Sequence, residues 1–496
     1  MGAAGGRTDA AQQRTGVCDA AGGMLARAAM YLLYTVLLFV YFLAILPLTA
    51  YGVWRRGKDP GSVRERFGLL PAGVNPDRRP SIWVHAVSVG EALAARPLLR
   101  ALAATYPGHR LVVSTTTATG QRVVRGFGAD VDAVCYAPFD FPWFVNRALD
   151  RIAPELFVVV DTEIWPNLLR ACRRRGVGAL IVNGRLSDRS FRRYRLARRG
   201  MRRVLADVAR VCVQTEEWGR RFVVLGAAPV RVTVTGSLKF DAAAASPLGS
   251  RSERRPPTVR PRRLEAAGAS PAGSQPDPAA GDALRAAFHF ARRRAVLIAA
   301  STLHGEEQPV LRAFARVRRT APDALLVIAP RHPERFDDVR RIAERAGHRV
   351  RLRSDLAPGD DPGVEVVILD TLGELARLFD LAAVVFVGGS LVPAGGHNLI
   401  EPAASGRAIV VGPHMENFAD VAREFMSRGA AVQVRDAAEL EQTLADLLQD
   451  GQRRSRLGEA ARAVVEANRG ATRRTLDVVA KLLPPAAGAP GRCGAC

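Results

Sequence analysis

Short apolar runs that alternate with stretches of helical period constrain this chain more than any other feature. In the first half the runs are Ile82–Ala86, Leu111–Ser114, Ala133–Tyr136, Leu156–Asp161, Ala179–Asn183, Val211–Gln214 and Val232–Thr235. Helical patterns such as Glu91–Ala104 and Trp165–Arg175 lie between them. The alternation resumes with Ala295–Ala300, Leu325–Ala329, Val364–Leu369, Ala382–Val387, Ala408–Val411 and Ala431–Val434, and roughly 440–483 reads as helices. Near-continuous apolar strands separated by helices predict parallel sheets covered on both faces. From about Asp241 to Gly281 the pattern gives way to Pro, Arg, Ala, Ser and Gly, a composition that buries too little apolar surface to order itself and predicts a flexible insert. Two α/β halves joined this way place a ligand crevice at the carboxyl ends of their strands.

A run of 27 residues, 28–54, carries no charge and has Tyr and Trp near its ends. That length spans a bilayer as one helix. Arg55, Arg56 and Lys58 follow it at once, so the positive-inside rule puts the C-terminal bulk in the cytoplasm. A cleaved signal peptide would have a shorter apolar core and different flanks. The predicted organisation is a tail (1–27), a transmembrane anchor (28–54), a first domain (55–240), the insert (241–281), a second domain (282–484) and a disordered tail (485–496).

Net charge is +23, and the excess is local: Arg170 to Arg203 holds 13 arginines against the single acid Asp188. A solvated face, nucleic-acid binding and attraction to anionic headgroups all fit such a stretch. Beside a membrane anchor the headgroup reading is the most economical, and Phe191 and Tyr194 are too few for a base-stacking platform. Of six cysteines only Cys493 and Cys496 form a CxxC, with no second pair for zinc, which fits a reducing compartment.

Polar strings follow the apolar runs. His85-Ala86-Val87-Ser88-Val89-Gly90-Glu91 puts Glu91 in a first helical turn, where it serves either as a general base or as a complement to the helix dipole. Asp161-Thr162-Glu163-Ile164-Trp165-Pro166 has more acids than a cap requires, which favours Glu163 as functional. Gly236-Ser237-Leu238-Lys239 ends the first domain with a cation suited to offset a departing phosphate, or with an ordinary surface lysine. In the second half, Ser301-Thr302-Leu303-His304-Gly305-Glu306-Glu307 offers hydroxyls and N–H groups at a helix start. Pro330-Arg331-His332-Pro333 and Asp370-Thr371-Leu372-Gly373-Glu374 follow further runs. Most specific is Gly388-Gly389-Ser390 with Gly395-Gly396-His397-Asn398-Leu399-Ile400-Glu401-Pro402, whose glycines allow close ligand approach and whose helix start suits phosphate. Four such turns in one domain read as a nucleotide site. No Walker, HExxH, GxSxG or metal-ligand spacing occurs, so a reaction without a metal or cofactor is expected.

Together, SVGE (88–91), DTEIWPNLL (161–169), NGRLSDRSF (183–191), GSLKFD (236–241), PRHPERF (330–336) and GGSLVPAGGHNLIEPA (388–403) resemble the 3-deoxy-D-manno-octulosonic acid (Kdo) transferases of Gram-negative bacteria over about residues 30 to 480. The resemblance implies two facing Rossmann-like domains of the GT-B glycosyltransferase type behind an N-terminal transmembrane helix. It further implies inverting transfer of Kdo from CMP-Kdo to a hydroxyl of the lipid A precursor at the cytoplasmic face of the inner membrane. By position in these motifs, Glu91 matches the catalytic base. Glu163 and Lys239 match transition-state stabilisers, and Arg331, His332, Leu372, Gly373, Glu374, Asn398, Leu399, Ile400 and Glu401 match the CMP-contacting segments. The 241–281 stretch and the terminal tail depart from the family pattern. The alternatives are another membrane-anchored sugar-nucleotide transferase, an epimerase of the same architecture, and a basic membrane-tethered scaffold for lipid or nucleic acid.

Overall fold

The computed structural model describes residues 28–44, 60–244, 284, 286–357, 363–371 and 373–484. The predicted tails, the second part of the predicted anchor (45–54), most of the predicted insert, Leu372 and the Cys493/Cys496 pair lie outside the described residues. Two compact units form. One holds the described residues up to Leu238 together with those from Gly470 on, and the other is Lys239–Arg469.

In the first unit the strands are β1 (Ser81–His85), β2 (Arg110–Thr115), β3 (Ala133–Tyr136), β4 (Pro154–Val160), β5 (Gly178–Gly184), β6 (Arg210–Val213) and β7 (Val232–Val234). They make one sheet in the order β3-β2-β1-β4-β5-β6-β7, with each neighbouring pair parallel. The second unit repeats the plan with β8 (Val296–Thr302), β9 (Leu325–Pro330), β10 (Val350–Leu352), β11 (Val366–Ile368), β12 (Ala382–Val387), β13 (Ala408–Val411) and β14 (Val432–Gln433). Their order is β10-β11-β9-β8-β12-β13-β14, again all parallel. Central strands such as β1 and β9 are buried along their whole length, because helices cover both faces of each sheet. These are two Rossmann-like α/β units.

Strand order reverses at β1/β4 in one unit and at β8/β12 in the other. Diverging connections leave a crevice outside the carboxyl ends of such a strand pair, so the polar strings after β1, β4, β8 and β12 fall where α/β sheets bind ligands.

Three expectations need correction. The helix Ala471–Leu482, expected in the second domain, belongs to the first unit. Ala471, Val478 and Val479 enter the core on one face of its sheet, and the Tyr106 hydroxyl donates to the Leu483 carbonyl at 2.8 Å. Lys239, expected to close the first domain, begins the second unit. Strand β10 was not expected, because Arg349, Arg351 and Arg353 interrupt its apolar residues. It is an edge strand with Arg351 exposed, the position where charge blunts an open edge.

The predicted anchor is helical over 28–44 and lies against the first unit by a stripe at helical spacing. Tyr31 is buried with its hydroxyl on Asp207, and the Tyr34 hydroxyl donates to Asp140 at 3.0 Å. Asn167 donates its amide to the Thr35 hydroxyl at 3.0 Å, and Phe42 packs edge-on against Phe139 and Phe141. The opposite side exposes Leu32, Leu33, Val36, Leu37 and Val40. Among the described residues no helix is long and apolar enough to cross a membrane.

Candidate active site

In the first unit the β1 string caps the helix that follows it, with Ser88 and Glu91 bonded to each other. Ser88 is extended at the N-cap of the helix Val89–Thr105, and its hydroxyl oxygen accepts the Glu91 N–H at 3.4 Å. The Glu91 carboxylate accepts the Val87 N–H at 2.7 Å and the Ser88 hydroxyl at 2.9 Å. Glu91 therefore does start the helix, and it does more. Burial and then the Asp161 charge raise its pKa to about 7, against the lowering effect of those two bonds, and Glu163 adds to the rise. Glu91, Asp161 and Glu163 thus share one electrostatic neighbourhood at the point where strand order reverses. A half-buried carboxyl that titrates near neutrality is a proton acceptor matched to physiological pH.

Glu163 is half-buried, and burial raises its pKa while the Trp165 indole N–H, donated at 3.3 Å, opposes the rise. The Trp165 ring stands edge-on to His85 at 5.1 Å, which ties the β4 string to the end of β1. Asp161 and Asn183, at the ends of β4 and β5, both adopt left-handed backbone (φ 59° and 57°), a strained conformation for non-glycine residues. Their side chains hydrogen-bond each other. The Arg185 guanidinium meets Asp161 at 3.2 Å, and the Asn183 side-chain Oδ1 accepts the Leu238 N–H at 3.0 Å, fixing the start of the helix Leu238–Ala244. Neither residue was singled out from the sequence; a doubled acid at a strand end was the only signal. In the second unit, Lys239 lies with its ammonium 4.7 Å above the Phe418 ring.

The remaining predicted residues of the second unit differ in what they expose. Arg331 and His332 are exposed after β9. Burial, and then the charges of Arg331 and His332, hold the nearby His397 imidazole down to about 4, so that ring is neutral at physiological pH. His397 Nε2 is buried and has no hydrogen-bond partner among the described residues, a group that sequence reading passed over. Asn398 donates its amide to Glu401 at 3.0 Å and accepts the Ile400 N–H at 3.0 Å, and burial raises the Glu401 pKa.

Leu399 and Ile400 are wholly buried core residues, so only their backbone can face a ligand. Gly373 has a left-handed φ of 84°, as its turn requires. The Glu374 carboxylate pairs with the Arg353 guanidinium at 3.0 Å and accepts the Thr371 hydroxyl, which commits it to holding that turn.

The first turn of the glycine-rich string is occupied from within the unit. The Gly389, Ser390 and Leu391 N–H groups all donate to the Glu306 carboxylate at 2.7, 3.1 and 2.9 Å. Glu306 itself was missed because its partners come from a string more than eighty residues away in sequence.

Residues 61–242 match the model of the 3-deoxy-D-manno-octulosonic-acid transferase (kdotransferase) family, and residues 308–464 match that of the glycosyl transferases group 1. A 3-deoxy-D-manno-octulosonic acid transferase of Bordetella pertussis is 36% identical over 456 residues, which cover 89% of this chain and 98% of the relative. The chain belongs to the 3-deoxy-D-manno-octulosonic acid transferase family. The transferase of that name from Haemophilus influenzae is 31% identical over 84% of this chain and 90% of its own length. The enzyme's fold is also similar to that of UDP-GlcNAc 2-epimerase from Neisseria meningitidis, with a TM-score of 0.55 at 13% identity over 81% of this chain and all of the epimerase. This glycosyltransferase carries three carboxylates at the strand-order reversal of its kdotransferase-matching unit.

Proposed function

We propose that the enzyme transfers Kdo from CMP-Kdo to a hydroxyl of the lipid A precursor with inversion at the anomeric carbon, and without a metal. The observation that carries this reading is Glu91, a half-buried carboxyl raised to about 7 beside Asp161 and Glu163. The acceptor hydroxyl gives its proton to Glu91 as its oxygen bonds to the anomeric carbon. The bond from that carbon to the CMP phosphate oxygen breaks, and CMP leaves as a phosphate monoester. Arg331 and Lys239 supply positive charge for the leaving group, and Glu163, as a carboxylate, stabilises the cationic character that develops at the sugar. Arg331, His332, the Gly373 turn and the Asn398–Glu401 segment hold the CMP moiety. The test is incubation of purified protein with CMP-Kdo and a tetraacylated lipid A precursor, followed by mass spectrometry of the lipid. The expected result is a mass gain in whole Kdo units; intact protein that adds none sinks the reading.

The enzyme works, in the same reading, at the cytoplasmic face of the bacterial inner membrane. Residues 28–54 are its anchor, and the exposed Arg192, Arg193, Arg195, Arg198 and Arg199 meet anionic headgroups. Supporting this are the uncharged 28–54 run, the exposed Leu32, Leu33, Val36, Leu37 and Val40, and Leu196, which is 91% exposed among those arginines. Flotation with phosphatidylglycerol vesicles should retain the full chain. Replacing Arg192, Arg193 and Arg195 by Glu should weaken retention, and unchanged retention would remove the arginines from the proposal.

A further inference from the structure

We propose that Glu306 is a positioning residue for the donor segment: its carboxylate occupies the place a phosphate would take at the Gly389–Leu391 turn, and so fixes the His397–Glu401 stretch. This rests on the reading of the second unit as the CMP-binding one. Glu306 follows β8, is fully buried, and begins the helix Glu307–Thr320. One carboxylate oxygen accepts N–H bonds from Leu303 at 2.9 Å and Gly389 at 2.7 Å. The other accepts from Ser390 at 3.1 Å and Leu391 at 2.9 Å. Burial raises its pKa, and the four N–H bonds oppose that rise.

The backbone of β8 and the clamp together explain why position 388 is glycine. A Cβ there would lie 2.6 Å from the Ser301 carbonyl oxygen and 2.9 Å from the Glu306 carboxylate. It joins the turn after β8 to the turn after β12, the two strands at which order reverses.

From Glu306 the connection continues through the loop. The Gly389 carbonyl accepts the Gly396 N–H at 2.7 Å, and the next residue, His397, lays its ring against Gly389 so closely that a Cβ there would be 2.9 Å from Nε2. Ser390 fastens the far side, its carbonyl accepting the His414 N–H at 2.9 Å and its hydroxyl the Gly412 N–H at 2.8 Å. Asn398 and Glu401 follow directly. The loop therefore offers a donor phosphate none of the three N–H groups at its first turn. What it presents instead is a fixed platform that carries His397, Asn398 and Glu401. Loss of the carboxylate leaves four buried donors without an acceptor and lets that platform move.

The test measures CMP binding to the full chain by calorimetry, with hydrogen exchange of the 388–391 segment alongside. Glu306→Gln should raise the CMP dissociation constant and the KM for the sugar nucleotide roughly tenfold or more, leave the KM for the lipid acceptor unchanged, and speed exchange at 389–391. In Glu306→Ala, formate should restore CMP binding, whereas chloride at equal ionic strength should not; a merely space-filling role would show no such rescue. Wild-type protein that does not bind CMP overturns the donor reading beneath this one. A Glu306→Gln protein that binds CMP as wild type does, with unchanged exchange, overturns the positioning role alone. If neither variant folds, wild-type exchange decides. Amides of 389–391 as protected as those of β12 support the clamp, and amides that exchange as fast as an unstructured chain overturn it.

Discussion

The two units place a glutamate at equivalent points of the same topology, just after the first strand of the pair where order reverses, and they use it in opposite ways. Glu91 has one backbone N–H and one hydroxyl, stays half-buried, and is raised to about 7 beside other acids. Glu306 has four backbone N–H donors, no exposure, and a glycine shaped around it. A carboxylate with few donors keeps an oxygen lone pair for a proton, whereas one saturated by backbone donors becomes part of the scaffold. Position in the fold brings a side chain to the ligand crevice. The count of donors around it decides whether it reacts or supports.

The contrast breaks most easily at Glu91. Glu91→Gln should keep CMP-Kdo affinity and lower kcat by about 10²-fold or more, the scale of general-base removal; near-normal single-turnover rates would assign the base elsewhere. At Glu306 the same change should act on sugar-nucleotide binding, so the pair of variants separates chemistry from positioning. Next in size is Gly388→Ala, which forces a methyl against the Ser301 carbonyl and Glu306 and should cost roughly 1–3 kcal/mol in a denaturant titration. A change under the error of that titration would mean that the clamp relaxes freely.

Asp161→Asn sharpens the electrostatic half. Glu91 must be ionised to accept a proton, so kcat/KM should rise with pH through about 7. Removing the Asp161 charge lowers the Glu91 pKa and moves that ascending limb to lower pH; a limb that stays put or moves upward breaks the assignment. The smallest effect is expected at Gly90, where a Cβ meets nothing within 4 Å. Gly90→Ala should change stability by less than about 0.5 kcal/mol, in contrast to Gly388→Ala.

Much of this was legible in the residues. Buried parallel strands are apolar throughout, so β3, β12 and β13 stand where their sequences predict, whereas β10, at a charged edge, leaves no such trace. The SVGE string encodes both the cap and the carboxyl, because helix capping is local. Local patterning did not reveal that Leu399 and Ile400 face the core or that Glu374 is taken by Arg353, since burial direction and ion pairing depend on what lies opposite. Nor did it show Ala471–Leu482 returning to the first unit. Its apolar stripe suits any sheet face, and only packing against the Tyr106 side of the core selects one.

By itself the sequence determined two parallel α/β units, the strings at their strand ends, and the family to which those strings belong. All of these depend on period, spacing and residue type within short windows. Only tertiary structure decided which acids stay reactive and which are consumed. Asp161 raises Glu91 across some seventy residues, and Glu306 gathers its N–H donors across more than eighty. Desolvation and hydrogen-bond saturation are properties of the folded surroundings, and no single stretch of chain contains them.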